Sequence, residues 1–203
     1  MKKRKRRDRM RIIAGTHRSR IIATLEGAAT RPTSDKAKGA VFSSLGTYFD
    51  KGEMLDLFAG SGSMSYEAIS RGMSHALLND HSKAAIGIIK KNVKQFQMEQ
   101  QCTIWNLDYA QALLRCHEEG RQFDLIFVDP PYALGKMEEI IALIDAYELL
   151  KDDGVLVVES LKEDQFAKQF GSLYQEKEAV YGISRMRYYR KGGNVDDRIS
   201  GDV

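Results

Sequence analysis

From Glu53 onward, short apolar runs alternate with longer amphipathic stretches, and this rhythm narrows the possible folds more than any other feature of the chain. The runs Met54–Phe58, Ala76–Asn79, Thr103–Asn106, Leu125–Val128 and Val155–Glu159 have the length of strands. Between them, Met64–Arg71, Lys83–Phe96, Ala110–Glu118 and Lys136–Leu149 have the length and period of helices. Strands that are apolar on both sides must be covered on both sides. The pattern therefore predicts an α/β fold, a mostly parallel sheet with helices on both faces. Its crossovers are expected to be right-handed. After Glu159 the rhythm breaks. A helix is expected near Asp164–Phe170, then strands at Glu176–Tyr181 and Arg185–Arg190. Gly182 turns between those two strands, so they pair antiparallel.

The first 52 residues read differently. "MKKRKRRDR" is a charge run expected to form a solvated tail, or an extension before Met10. Arg11–Ala14 and Arg20–Thr24 are β-rich, with Gly15 and Ser19 between them, which predicts a hairpin. A helix is expected over Asp35–Phe49, capped by Thr33 or Ser34. The expected organisation is a basic tail over 1–9, a hairpin and helix over 10–52, the sheet domain over 53–191 and a polar tail over 192–203. Net charge divides along the same line: residues 1–38 carry +10 and the rest −7. A basic end of this kind suits a polyanion. If it neutralises about five phosphates of a single strand, the log–log salt slope is about −3.5. No apolar run is long enough to cross a membrane as a helix. The amino terminus lacks a signal-peptide core, so a cytoplasmic protein is expected. Cys102, Cys116 and the four histidines show no metal-ligand spacing, and no metal site is expected.

Two segments carry chemistry. "LDLFAGSGSMSYEAISRG" follows the first strand and opens a helix. Phe58, Ala59, Gly60, Ser61 and Gly62 form its turn. The two glycines permit close backbone approach to a ligand, although a tight strand-to-helix turn would use them equally. Ser65 stands where a dinucleotide fingerprint has its third glycine. Asp80 ends the second strand, where an acid can accept both hydroxyls of a ribose; Asn79 and His81 flank it, and His81 lines the pocket at most. Asp108 can receive an adenine amine or cap the following helix. Asp56, inside a strand, needs a partner such as a ligand ammonium. No GxxxxGK[ST] is present, so an ordinary nucleotide P-loop is disfavoured. Adenosine with a short zwitterionic arm, S-adenosylmethionine, fits these parts.

The second segment is "LIFVDPPYALG". Asp129 sits at the carboxyl end of the fourth strand, where ligands of such sheets gather. Pro130 and Pro131 fix φ and remove two backbone donors. The result is a rigid set of acceptors, the Asp129 carboxylate and a nearby main-chain carbonyl, with Tyr132 as a flat face beside them. Two acceptors of this kind can hold and turn a planar exocyclic amine, and Asp129 can take its proton.

"RIIAGTHRSR", "RPTSDKAKGAVFSSL", "LDLFAGSGSMSYEAISRG", "IIKKNV" and "FDLIFVDPPY" occur in that order. Together they resemble the RsmD-type 16S rRNA guanine-N2 methyltransferases of bacteria, over roughly residues 10–191. The resemblance implies a Rossmann-like class I S-adenosylmethionine-dependent fold. Its sheet would have seven mostly parallel strands, the last antiparallel, with an N-terminal hairpin. It implies transfer to one guanine N2 of 16S rRNA, within a small-subunit assembly particle, by a monomer without membrane contact. Asp56, Phe58, Gly60 and Gly62 match the cofactor turn, Asp80 the ribose acid and Asp108 the adenine-side acid. Asp129, Pro130, Pro131 and Tyr132 match the catalytic tetrapeptide. Arg31 and Thr33 match a segment bordering the site, Thr33 on its cofactor side. Arg11, Arg18, Arg20, Arg31 and Lys36 would face RNA. Where relatives carry an Arg-Glu pair, this chain has Lys38-Gly39, a change expected on the RNA-facing surface. The glycine turn and DPPY are shared with DNA adenine-N6 methyltransferases, so that reading stays open. So does a non-catalytic RNA-binding assembly factor.

Overall fold

The computed structural model describes residues 10–25 and 35–192. The two tails, Thr33 and Ser34 (the expected caps of the first helix) and Arg31 lie outside the described residues. Helix α1 spans Asp35–Leu45. Strands β1 (Glu53–Asp56), β2 (His75–Asn79), β3 (Cys102–Trp105), β4 (Phe123–Val128) and β5 (Leu150–Leu161) alternate with helices. These are α2 (Ser63–Ser70), α3 (Lys83–Phe96), α4 (Tyr109–Glu118) and α5 (Met137–Ala146). Three further strands close the chain: β6 (Gln169–Phe170), β7 (Leu173–Tyr181) and β8 (Ser184–Lys191). All lie in one sheet, ordered β3-β2-β1-β4-β5-β8-β7-β6. The pairs from β3 to β5 are parallel. Those from β5 to β6 are antiparallel. The sheet thus has seven substantial strands and a two-residue edge strand, β6, which the sequence pattern does not announce.

Burial explains the alternation. On one face Met54, Leu78, Phe127 and Val157 pack with Val41, Ile69 and Ile89. On the other, Leu55, Ile126 and Val158 pack with Leu113, Ile140 and Ile144. Strands covered on both faces are apolar throughout rather than alternating. The chain leaves β1 toward β2 on one side and enters β4 on the other. This is the switch point of the topology, where ligands of such sheets bind outside the carboxyl ends of the strands.

Three expectations need correction. The N-terminal hairpin exists as one antiparallel bridge, Arg11 to Ile21, not as two strands. Ile12 N–H donates to Arg20 O and Ile22 N–H to Met10 O. The next N–H groups turn to side chains of the sheet domain instead: Ile13 and Ala14 donate to the Glu67 carboxylate at 2.7 and 3.0 Å, and Ala23 to Asn92 Oδ1 at 2.9 Å. Helix α1 stops at Leu45 rather than Phe49, and Gly46 follows it with φ +109°. The helix expected near Asp164–Phe170 does not form. Its backbone is taken up from outside: Arg187 donates to Asp164 O, the Glu138 carboxylate accepts from Ala167 N–H, and Tyr189 Oη donates to Ala167 O.

Glu67 of α2, fully buried, ties the N-terminal segment to the sheet domain. Besides the two N–H groups, it pairs with Arg71 Nε at 2.8 Å and Lys38 Nζ at 3.7 Å. Lys38 Nζ also donates to Arg11 O at 2.7 Å. Lys38 is therefore an internal tie and not part of an RNA-facing surface, contrary to expectation. Gly15 makes the close approach possible. Its φ is +80°, and a Cβ there would lie 1.7 Å from the Ser70 carbonyl oxygen.

Candidate active site

The turn after β1 is built from backbone. Leu57 N–H donates to Phe127 O, Ala59 N–H to Asn79 O, and Gly62 N–H to Ala59 O. Gly60 and Gly62 have φ of +55° and +83°, and Gly62 leads into α2. A Cβ on Gly60 would meet nothing within 4 Å, so the turn faces open space there. Gly60 N–H donates to Asp80 Oδ2 at 2.9 Å and Ser82 N–H to Asp80 Oδ1 at 2.8 Å. One contact on each oxygen leaves further lone pairs on both, so Asp80 retains capacity for a diol. Asp80 is thus aimed by the glycine turn itself.

Asp56 is 2% exposed and accepts from Ser65 Oγ at 2.8 Å. Burial pushes its pKa up to about 7. Ser65, which departs from the dinucleotide fingerprint, holds this carboxyl. Among the described residues no lysine or arginine forms an ion pair with Asp56 or Asp129. Two acids without a protein cation suit a cationic ligand. With the open Gly60 face and the diol-competent Asp80, the residues fit S-adenosylmethionine.

The other expected cofactor residues are placed as follows. Phe58 packs on Tyr109, ring centroids 6.0 Å apart. Ser61 reaches Met10 Sδ at 3.5 Å, and its carbonyl accepts from Asn92. His81 points to solvent, its side chain 68% exposed and 3.7 Å from Asp80. Asp108 caps α4, Oδ1 accepting from Ala110 N–H at 2.9 Å. This is the capping alternative, at a site exposed to solvent. Thr33 lies outside the described residues.

Asp129 follows β4 directly. Burial, then Glu159 and then Asp56, drives its pKa well above the usual carboxylate range. Pro131 O accepts from Leu134 N–H at 2.8 Å and is occupied. Pro130 O accepts no hydrogen bond from the described residues and is left open beside Asp129. Tyr132 is 48% exposed, its Oη 3.4 Å from Ser184 Oγ. A cavity of about 360 Å3 opens beside Pro130, Pro131 and Tyr132, and Glu159, Ser160 and Phe166 help to line it. Of the expected RNA-facing residues, Arg11, Arg18, Arg20 and Lys36 are exposed, Arg11 being paired with Asp35 at 3.0 Å. Arg31 lies outside the described residues.

Sequence reasoning missed three contributors. Asn79 Nδ2 donates to Leu57 O and Leu107 O, and Oδ1 accepts from Leu107 N–H, so it laces three strand ends together. Arg187, buried, donates to Ser160 Oγ at 2.6 Å and lies 4.6 Å over the Phe166 ring. Glu159, 6% exposed, is the third. Its signal was available: "VLVVES" closes an apolar strand with an acid, as "HALLND" and "LIFVD" do.

A sheet of this order, with a glycine turn, an acid after β2 and an acid-proline-proline-tyrosine corner after β4, defines a class I S-adenosylmethionine-dependent methyltransferase. Residues 10–190 match the family described as conserved hypothetical protein 95, the RsmD-type methyltransferases, and the chain belongs to it. YlbH of Bacillus subtilis is 36% identical over 91% of this chain and all of its own length. Ribosomal RNA small subunit methyltransferase D of Haemophilus influenzae is 32% identical, over 89% of this chain and 93% of its own. The structure of yhhF from Escherichia coli, 26% identical, superposes with a TM-score of 0.80 over 92% of this chain and 99% of its own.

Proposed function

We propose that this protein methylates the exocyclic N2 amine of a guanine in bacterial 16S rRNA, acting in the cytoplasm as a monomer on a small-subunit assembly particle. The name of the Haemophilus relative supports small-subunit rRNA as the substrate. The observation that carries the chemistry is Asp129, which directly follows β4 and precedes Pro130, Pro131 and Tyr132 at the wall of a cavity.

S-Adenosylmethionine, when bound, supplies an electrophilic methyl carbon on positive sulfur. Asp56 is placed for its ammonium group and Asp80 for its ribose, with Gly60 and Gly62 giving the backbone room to approach. Phe58, Ala59 and Ser61 complete the turn, and by the family resemblance Asp108 serves the adenine side and Thr33 the border of the site. Asp129 and Pro130 O accept the two hydrogens of the guanine amine. This grip matters because the amine lone pair is delocalised into the ring and must be turned out toward the electrophile. The proton released from nitrogen passes to Asp129, whose raised pKa suits it to hold one. Pro131 stiffens the corner and Tyr132 stacks on the base. Arg18, Arg20, Arg31 and Lys36 meet phosphates, with Arg11 beside them. Unpaired loop guanines are the favoured targets, because extruding a paired base costs a few kcal/mol.

The test is transfer of labelled methyl groups to small-subunit particles, with nucleoside analysis of the product. Wild type should yield N2-methylguanosine. Asp129→Ala should lower turnover at least ~100-fold while cofactor affinity stays within threefold. Methyladenosine as the product, or full turnover by the variant, would refute the reading.

A further inference from the structure

We propose that Glu159 reads the N1–H of the target guanine and makes the enzyme refuse bases whose N1 is an acceptor. The inference rests on the guanine-N2 reading and names how that site selects its base.

Val128 of β4 pairs with Val158 of β5, so the next residues, Asp129 and Glu159, stand side by side at the carboxyl ends of adjacent parallel strands. Side chains two apart on a strand share a face. Phe127 and Val157, two residues earlier, both belong to the core on the α2 and α3 side. Asp129 and Glu159 therefore emerge toward that same side, one strand spacing apart, about 4.8 Å. Asp56, on β1, is in register with Phe127 and belongs to the same face. Three acids thus share one face of β1, β4 and β5, Asp56 standing two residues behind the level of Asp129 and Glu159. They run from the end of β1 past the Pro-Pro-Tyr corner to Glu159. Glu159, but not Asp129, also lines the cavity beside that corner, whose other walls come from α5 and the segment after β5.

That cavity, about 360 Å3, lies within the range of small-ligand sites, roughly 300–1,000 Å3. Tyr132 and Pro131 give it a flat wall. Arg187 fixes the opposite wall by gripping Ser160 and the Asp164 carbonyl and stacking over Phe166. A base whose amine meets Asp129 presents its neighbouring ring nitrogen toward Glu159.

The purines differ at that point. Guanine has N1–H beside its N2 amine, two donors in a row. Adenine has a lone pair on N1 beside its N6 amine. Two adjacent carboxylates match the first pattern. They oppose the second, because an acceptor faces an acceptor unless the pair keeps a proton, so the discrimination is greatest above the raised pKa of Asp129. The selection needs no contact to O6 or N7.

The test uses one substitution in the base and one in the protein. The methylated guanine is first located with wild type. It is then replaced in the same RNA by 2-aminopurine, which keeps the N2 amine but has an acceptor at N1. Wild type should transfer to 2-aminopurine at least ~100-fold less efficiently in kcat/KM. Glu159→Gln, whose amide can donate to N1, should narrow the guanine preference at least tenfold by raising the 2-aminopurine rate. A merely structural role would lower both rates in proportion. That result, or equal wild-type rates on the two bases, overturns the assignment even if N2-methylguanosine is formed. Absence of N2-methylguanosine from the wild-type reaction would overturn the guanine reading and this assignment together.

Discussion

Asp56 occupies a place where its charge is unfavourable, and nothing among the described residues neutralises it. Such a group makes stability depend on pH in a definite direction. Its folded pKa, about 7, stands above its unfolded value of about 3.9. The folded state therefore keeps a proton that the unfolded state loses. The stabilising contribution is fully present below about pH 4 and is lost as pH rises through about 7. Asp56→Asn removes this loss. In the ligand-free protein the variant should match wild type near pH 4 and exceed it by roughly 2–4 kcal/mol at pH 8. Its affinity for S-adenosylmethionine should fall at least tenfold, because the amide cannot pair with an ammonium. Urea titrations at the two pH values and calorimetric binding would decide. A variant less stable at pH 8, or one that binds normally, would show that the carboxyl is structural. Asp80 differs from Asp56 in that its two backbone contacts give it a structural task in addition to any ligand.

At the scale of elements, Glu67 is the joint between the N-terminal segment and the sheet domain. It receives Ile13 and Ala14 N–H and sits against Lys38 and Arg71, all within the interior. Removing one member of a buried ionic set leaves the others desolvated and unpaired, at a cost on the order of 3–5 kcal/mol. Glu67→Ala should therefore lose about that much stability in denaturant unfolding. A loss below about 1 kcal/mol would mean that water reaches the site. This joint also marks where the sequence was hard to read. Strands β1 to β5 were legible, because strands buried on both faces must be apolar runs and nothing else in the chain looks like one. The glycine turn, Asp80 and the corner at Asp129 were legible because each sits where such a run ends. The N-terminal hairpin was only half legible. Its β-branched residues predict pairing, but its N–H groups bond to Glu67 and Asn92, from distant parts of the chain. The segment after β5 failed for the same reason: Glu138, Tyr189 and Arg187 claim its backbone before a helix can. Glu159 was passed over although it too ends an apolar run, because neither a glycine turn nor a proline pair accompanies it. Only the register with Asp129 gives it meaning.

On the scale of the whole molecule, the charge is divided, +10 over residues 1–38 and −7 over the rest. The site itself is acidic at Asp56, Asp80, Asp129 and Glu159. A polyanion would be repelled from that mouth unless another surface held it. Arg18 and Arg20, exposed in the turn region of the bridged segment, offer such a surface. The turn is docked rigidly, with Thr16 N–H on Ser70 O and His17 N–H on Ser70 Oγ. Arg20 further reaches the Phe96 carbonyl at 3.4 Å. Phosphate contacts of this kind set orientation and affinity and carry no base information. They release counterions, so their number appears in the salt dependence of binding. Replacing Arg18 and Arg20 together with Ala should make the slope of log Kobs against log salt shallower by about 1.4 on a single strand, two phosphates at about 0.7 each. Cofactor affinity should stay within twofold, since neither side chain belongs to the glycine turn. At saturating RNA the methylation rate should be preserved, because the change acts on holding the strand and not on the amine. An unchanged slope would move the RNA track away from this turn. A lower rate at saturation would mean that these arginines help to present the base.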